Sequence, residues 1–243
     1  PQASQPASVV RDLVTTASPH WSFAVPGGWT LAPKSTADAI DAAMSRLLPD
    51  KGFRCVAVVW ADPARETRGP NIQVQFAPAD NRTTTLDQIE QTLTNAREIA
   101  AQRQRERQAA GNLVSSTDET PPVLDRDRRR ITSSGSLTLP PDASNPAAAP
   151  QVIRFISTGM IGRDGVTRLI LYAPADQFDA CLPLYAEATE TFAYDPGFEY
   201  APPNAQLALT TLFRRSGLTI LAVIAIIVAL RLITRKKSAP RRA

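Results

Sequence analysis

The apolar run from Gly217 to Ile233, GLTILAVIAIIVALRLI, constrains the architecture of this chain more than any other segment. Its only polar members are Thr219 and Arg231. A helix that crosses a bilayer needs roughly 17 to 25 apolar residues, whereas runs of about 10 to 14 are typical of buried helices in soluble proteins. The length therefore favours a membrane span over a buried core helix. We predict one transmembrane helix at residues 213–233.

Basic residues flank this run unequally. Arg214 and Arg215 precede it, and six basic residues lie at its end or beyond it: Arg231, Arg235, Lys236, Lys237, Arg241 and Arg242. Basic residues remain preferentially on the cytoplasmic side of a membrane. We therefore expect a single-pass protein of the bacterial inner membrane, with a cytoplasmic tail at residues 234–243 and a periplasmic N-terminal domain. Export requires a signal peptide, and the small, polar start PQASQPAS is typical of a mature terminus.

The charge distribution indicates which partners to expect. Arginines near hydrocarbon reach towards lipid headgroups or towards polar groups of neighbouring helices, so the bilayer and the subunits of an integral-membrane complex are the expected partners. The net charge of +4 does not indicate a nucleic-acid partner. Residues 214–243 hold 8 of the 27 Lys and Arg and no acidic residue, which leaves 19 basic against 23 acidic residues upstream. The exported part is mildly acidic.

The pattern upstream of the membrane segment predicts an α+β domain at residues 20–196, after a lead-in at 1–19 and before a Pro-rich connector at 197–212. Continuous or alternating apolar stretches indicate strands at residues 20–33, 53–62, 71–78, 152–162 and 166–174. Helical spacing of apolar residues indicates helices after Thr36, over 85–108 and after Asp176. We expect an antiparallel sheet packed with helices.

A polar stretch interrupts this pattern at residues 111–150, which are rich in Ser, Thr, Pro, Asp and Arg. We interpret it as a peripheral insertion with a single polar strand, at ITSSGSLTLP. Its basic cluster at residues 126–130 is typical of a solvated loop or a strand edge.

Residue types that support catalysis are scarce. His20 is the only histidine, which excludes metal sites with two imidazoles, and no GxSxG turn accompanies it. Glu187 and Glu190 lie among polar helix positions, as on a solvated face. We expect no enzymatic activity, no cofactor and no metal site.

The two cysteines, Cys55 and Cys181, lack CxxC spacing, so they indicate neither a redox motif nor a zinc site. Two alternatives remain open for them. They form one disulfide in an oxidising compartment, or they are two separate buried thiols.

Two segments, FAVPGGWTL (residues 23–31) and RLILYAPADQFDACLPLYAEATETF (residues 168–192), resemble the PsbP-like superfamily. The resemblance covers most of residues 20–196. It implies an α/β sandwich and a non-enzymatic role in binding proteins or stabilising a complex, and it transfers no ligand residues. The insertion at 111–150 and the membrane anchor depart from the soluble members of that family.

These features together suggest a non-catalytic, membrane-anchored accessory or structural subunit. Its periplasmic domain would dock on and stabilise a larger membrane complex of the photosynthetic or respiratory type. The alternative is a tethered extracytoplasmic module that binds a ligand or senses the cell envelope. A hydrolase of unrecognised type is a third, less favoured hypothesis.

Overall fold

The computed structural model divides the chain into two compact units, Pro1–Ala201 and Pro202–Ala243. It describes residues 13–16, 20–47, 52–64, 69–95, 98, 115–139 and 149–203. None of the helices in these stretches is long and apolar enough to cross a membrane. The predicted transmembrane helix at 213–233 and the basic tail lie outside the described residues.

Two antiparallel sheets form the described part of the first unit. The smaller sheet consists of β1 (Leu13–Thr16), β2 (Trp21–Ala24) and β10 (Ala193–Tyr194), with β2 in the centre. The larger sheet consists of β3 (Thr30–Leu31), β4 (Arg54–Trp60), β5 (Asn71–Pro78), β6 (Ser115–Asp125), β7 (Arg130–Leu139), β8 (Gln151–Gly162) and β9 (Gly165–Pro174). Its strand order is β3-β4-β5-β9-β8-β7-β6.

Three helices accompany the sheets. Helix α1 spans Lys34–Leu47 and α3 spans Phe178–Glu190. Helix α2 begins at residue 86 and is described without a gap to residue 95. A capping box starts α2, because Thr85 Oγ1 accepts a hydrogen bond from the Gln88 amide and Gln88 Oε1 accepts one from the Thr85 amide. The predicted α+β fold with an antiparallel sheet and packing helices is confirmed.

One face of the larger sheet carries the main core. Leu169 and Leu171 of β9 are fully buried in a cluster with residues of α3 and the smaller sheet, whereas Arg168, Ile170 and Tyr172 alternate with them and line the opposite face. Because successive strand residues point to opposite faces, this alternation orients β9. Tyr185 links α3 to this face of the sheet, because its hydroxyl donates a hydrogen bond to the Leu169 carbonyl oxygen at 2.8 Å.

The opposite face of the larger sheet is covered at two separate places. Residues from α1 and β4 form one apolar cluster: Ala32, Ala37, Cys55, Val58 and Trp60, with Ile40 packed against it. A second cluster joins Ile89 of α2 to Ile161 and Tyr200. The strands between the two clusters carry polar side chains on this face, and that is where the candidate site lies.

Part of the stretch predicted as a peripheral insertion continues the larger sheet. The sequence predicts one polar strand there, whereas the structure has the hairpin of β6 and β7, and β7 pairs with β8 along its whole length. The hairpin lies at the sheet edge, where many side chains stay partly exposed, so its strands do not need the apolar residues on which the prediction relied. The basic cluster lies at the hairpin turn, as expected for a loop or strand edge.

Candidate functional site

A cavity of about 210 Å³ opens on the face of the larger sheet that carries α1 and α2. Strands β5, β9, β8 and β7 form its floor, and α1 and the residue before β4 contribute its wall. Its lining consists of Met44, Phe53, Gln75, Ser133, Phe155, Ser157, Arg168, Ile170 and Tyr172. Polar and apolar groups therefore meet in one half-open space.

Strand register brings the polar lining residues together. Gln75 of β5 lies opposite Arg168 of β9. Ser157 of β8 lies opposite Ile170 of β9 on one side and Ser133 of β7 on the other. Directly opposed residues in antiparallel strands project from the same face. Four strands thus place these side chains in one group, although they are far apart in the sequence.

The guanidinium of Arg168 is the charged centre of the cavity. Its Nη2 donates a hydrogen bond to Gln75 Oε1 at 2.7 Å, and its Cζ lies 5.2 Å from the ring centroid of Phe53. Within the part of the chain that the structure describes, no carboxylate lies within 4.0 Å of it. Burial lowers the pKa of Arg168, because removal from water disfavours the charged form.

Gly159 makes room for the arginine. A Cβ atom at this position would lie 3.3 Å from Arg168 Cγ and 3.2 Å from Val166 Cγ1. These distances are tighter than ordinary van der Waals contact. A side chain at position 159 would therefore push the arginine away from its present place.

Most of the other polar groups in the cavity have no partner among the described residues. Gln75 is 2% exposed and Ser157 is 5% exposed, yet no described group pairs with Gln75 Nε2 or with the hydroxyl groups of Ser157, Ser133 and Tyr172. Buried polar groups in folded proteins nearly always have hydrogen-bond partners. None of the fully buried, unpartnered side-chain atoms among the described residues belongs to the lining, so these polar groups face the open cavity, where they surround a cation.

The chemistry that the cavity supports is binding through hydrogen-bond donation. Arginine and amide NH groups donate only, and serine and tyrosine hydroxyls donate or accept. Burial raises the pKa of Tyr172, with the nearby Arg168 acting in the opposite direction, so the phenol keeps its proton. The described lining residues include no His, Cys, Asp or Glu. The cavity is therefore suited to an anionic or strongly accepting ligand.

The two cysteines are both buried free thiols. Of the two alternatives that the sequence leaves open, the structure has the separate thiols. Cys55 packs in the cluster of α1 and β4, whereas Cys181 packs in the main core through α3. Neither thiol lines the cavity, and burial raises the pKa of Cys181.

His20 lies at a polar junction away from the cavity. The imidazole of His20 stacks on the ring of Phe198, with 3.7 Å between the two centroids. The guanidinium of Arg163 lies 4.0 Å from the centroid of the Phe198 ring. His20 Nδ1 lies 3.5 Å from an oxygen of Asp195. These contacts hold the start of β2 against the segment after β10, which is a structural role.

The predicted membrane-flanking residues Arg214, Arg215, Arg231, Arg235, Lys236 and Lys237 lie outside the described residues. Within the described ranges, no group of three or more His, Cys, Asp or Glu side chains is placed to hold a metal ion.

Sequence reasoning did not single out Arg168, Gln75 or Ser157. A signal for them exists. Arg168 is the one charged residue in the strand sequence VTRLILYAP, and Gln75 follows Gln73 in NIQVQFAP. Polar residues at alternate positions of central strands predict a polar stripe on one face. Neither segment, however, indicates that the two strands are neighbours in the sheet, so the sequence does not predict that their polar stripes meet.

No protein-family model matches the chain, and no curated protein matches it. Several solved structures are similar in arrangement. Cyanobacterial PsbP from Synechocystis sp. PCC 6803 aligns at 10% identity over 80% of this chain and 98% of that chain, with a TM-score of 0.42. LpqN, involved in cell envelope biogenesis of Mycobacterium tuberculosis, aligns at 13% identity over 76% of this chain and 91% of that chain, with a TM-score of 0.38.

The Ran-binding protein Mog1p of Saccharomyces cerevisiae aligns at 14% identity over 76% of this chain and 95% of that chain, with a TM-score of 0.37. PsbP, the namesake of the family that the sequence resembles, is thus among these structures. At these identities and TM-scores the likeness assigns no function to this chain.

Proposed function

We propose that the described domain is a non-enzymatic binding module that holds a small ligand in the cavity between α1 and α2. One observation carries the proposal: polar groups from four strands converge there around Arg168, and among the described residues the bond between Arg168 and Gln75 is the only side-chain hydrogen bond that joins them. A bound ligand would supply the missing hydrogen bonds.

The lining supports binding better than catalysis. It offers donors and one cation, and it contains none of the His, Cys, Asp or Glu side chains that commonly act as acid, base or nucleophile. The proposal is therefore the module class that the sequence left as the alternative. The apolar run at 217–233 and its basic flanks support tethering of this module to the outer face of an inner membrane.

A screen of thermal unfolding tests the proposal. The full chain in mild detergent is heated with a library of small neutral, cationic and anionic compounds, and unfolding is followed through the emission of Trp21 and Trp60. At least one class of compounds raises Tm. A Ser133→Phe variant fills the cavity from its half-buried rim, and its Tm no longer responds to those compounds.

Circular dichroism verifies that Ser133→Phe keeps the fold. A Val152→Phe variant, at an exposed position on the neighbouring strand β8, serves as the matched control and keeps the ligand response. The proposal fails if no compound in the library shifts Tm of the wild-type chain, or if Ser133→Phe responds as the wild type does.

A second candidate is the accessory or structural subunit of a membrane complex. The short apolar run with arginines on both sides favours it, because such a helix gains from polar groups on neighbouring helices. Purification in mild detergent tests it. Stoichiometric protein partners that stay bound support a subunit, and a chain that elutes alone supports the tethered binding module.

A further inference from the structure

We propose that the ligand of this cavity is a small monocarboxylate with a compact apolar group, a claim that rests on the proposed binding function. The carboxylate would bind Arg168, and the apolar group would lie against Phe155, Ile170 and Met44. Charge, donor geometry and the shape of the remaining wall each support this ligand class.

Charge limits the ligand to one negative unit. Arg168 is the only charged side chain among the described lining residues, and no described carboxylate lies within 4.0 Å of its guanidinium. An unpaired charge in a desolvated site is unfavourable, and the lowered pKa of the arginine reflects that cost. A monoanion balances the cation. A dianion such as phosphate would bring a second negative charge that nothing in the lining compensates.

Donor geometry favours a planar carboxylate. An arginine has five N–H donors arranged as a fork that matches the two oxygens of a carboxylate. Among the described residues, the Arg168 side chain makes one hydrogen bond, to Gln75 Oε1. That bond fixes the guanidinium and leaves Gln75 Nε2 as a second donor. Ser157 and Ser133 add hydroxyl groups on the neighbouring strands.

The remaining wall favours an apolar group of limited size. Phe155 and Tyr172 face each other across β8 and β9, with ring centroids 6.1 Å apart and planes inclined by 46°. Ile170 and Met44 complete the apolar part of the lining. The volume of about 210 Å³ lies below the roughly 300 to 1,000 Å³ of pockets for drug-sized ligands. An aromatic or branched aliphatic acid of the size of benzoate suits this space.

Matched probes distinguish the ligand classes. Benzoate, its neutral analogue benzamide, and inorganic phosphate are titrated against the full chain, with Tm and isothermal calorimetry as readouts. We expect benzoate to bind, and benzamide and phosphate to bind at least tenfold more weakly. Equal or tighter binding of benzamide, or of phosphate, would overturn the carboxylate assignment.

Arginine variants test the assigned contact. Arg168→Met keeps the length of the side chain and removes its charge, so we expect at least a hundredfold loss of benzoate affinity. Arg168→Lys keeps the charge and loses the fork, with a loss of about tenfold. Arg54→Met on β4 is the matched control, because Arg54 contacts Phe76 and is not part of the cavity lining. Unchanged benzoate affinity in Arg168→Met would refute the contact.

A Ser157→Ala variant provides an independent test of the site if the arginine variants do not fold. It removes one donor from the floor of the cavity, and we expect a loss of benzoate affinity of about threefold to tenfold with an unchanged circular dichroism spectrum. Failure of this inference differs from failure of the proposed function. If only the carboxylate assignment is wrong, other compounds of the screening library still raise Tm, and Ser133→Phe abolishes that shift. If the binding function itself is wrong, no compound of the library raises Tm.

Discussion

The burial of Arg168 bears on both the stability and the proposed binding function of this domain. Arg168 lies in a central strand, where burial removes its guanidinium from water. No described carboxylate lies within 4.0 Å of the guanidinium. If Arg168 served stability, we would expect a carboxylate beside it, because a buried charge without a partner is unfavourable. Removing one partner of a buried ion pair costs roughly 3 to 5 kcal/mol. Under the proposed binding function, an unpaired arginine instead lowers the stability of the ligand-free domain. The two roles predict different responses to substitution.

The first prediction is that Arg168 is dispensable for folding. In the absence of ligand, Arg168→Met changes the free energy of unfolding by less than about 1 kcal/mol, because the lost bond to Gln75 and the relieved desolvation offset each other. The double variant Arg168→Met/Gln75→Met removes both partners of this hydrogen bond, so neither is left unpaired, and it is more stable than wild type by roughly 0.5 to 2 kcal/mol. Urea denaturation measures both. A loss above about 3 kcal/mol in the single variant would show a structural role.

A second prediction at the residue scale concerns alkaline pH. Burial raises the pKa of Tyr194 to about 12, and its hydroxyl donates to the Met160 carbonyl oxygen at 2.7 Å. An unfolded tyrosine titrates near pH 10. Between these values the native state binds more protons than the unfolded state, so stability is fully present below pH 10 and falls as the pH rises towards 12.

Removing the hydroxyl tests this dependence. Tyr194→Phe is less stable at neutral pH by roughly 0.5 to 1.5 kcal/mol, since it loses the hydrogen bond to Met160. Its free energy of unfolding declines less steeply than that of wild type between pH 10 and 12. Urea denaturation at a series of pH values gives the two slopes. Parallel slopes would mean that Tyr194 does not titrate differently in the two states.

At the scale of elements, the hairpin of β8 and β9 depends on one glycine. The register pairs Gly162 with Gly165 and leaves Arg163 and Asp164 as the loop. Gly165 begins β9 with a φ of +152°. A Cβ there would lie 2.3 Å from the carbonyl oxygen of Ala77 on β5. The backbone of the neighbouring strand cannot move away without losing its pairing.

The third prediction follows from that contact. Gly165→Ala destabilises the domain by at least about 2 kcal/mol, through the clash and the strained φ. Gly27→Ala is the matched control, because a Cβ at Gly27 meets no atom within 4 Å and its φ lies outside the left-handed range. Gly27→Ala stays within about 1 kcal/mol of wild type. Chemical denaturation compares the two, and similar losses in both would count against the contact.

The strands and helices were largely predictable, and the site was not. Apolar spacing around Leu169 and Leu171 marks β9, and the helical pattern around Phe178 and Tyr185 marks α3, because each is buried on one side. The hairpin of β6 and β7 escaped this reasoning, since an edge hairpin buries little and its composition is that of a loop. The cavity depends on which strands are neighbours, and pairing between distant strands is not encoded in local periodicity.

At the scale of the whole molecule, the described domain and the predicted membrane segment pose separate questions. The cavity, with its Arg168 and unpaired donors, belongs to Pro1–Ala201. The orientation of the chain in a membrane rests on the sequence after that unit. A ligand-binding domain in the periplasm would meet solutes from outside the cytoplasm, whereas the opposite orientation would expose it to metabolites inside the cell. The topology therefore determines which carboxylates the cavity would meet.

The last prediction is this topology. Six basic residues at the end of the apolar run or beyond it, against two before it, predict that residues 1 to about 212 lie outside the cytoplasm and the tail lies inside. Protease added to the cytoplasmic face of sealed inverted vesicles removes the tail and leaves a protected fragment that contains the folded domain. Disrupting the vesicles with detergent is the control, because it lets the protease reach the domain as well. Digestion of the domain in intact vesicles would reverse the orientation, because a protease on that side reaches only what the membrane does not shield.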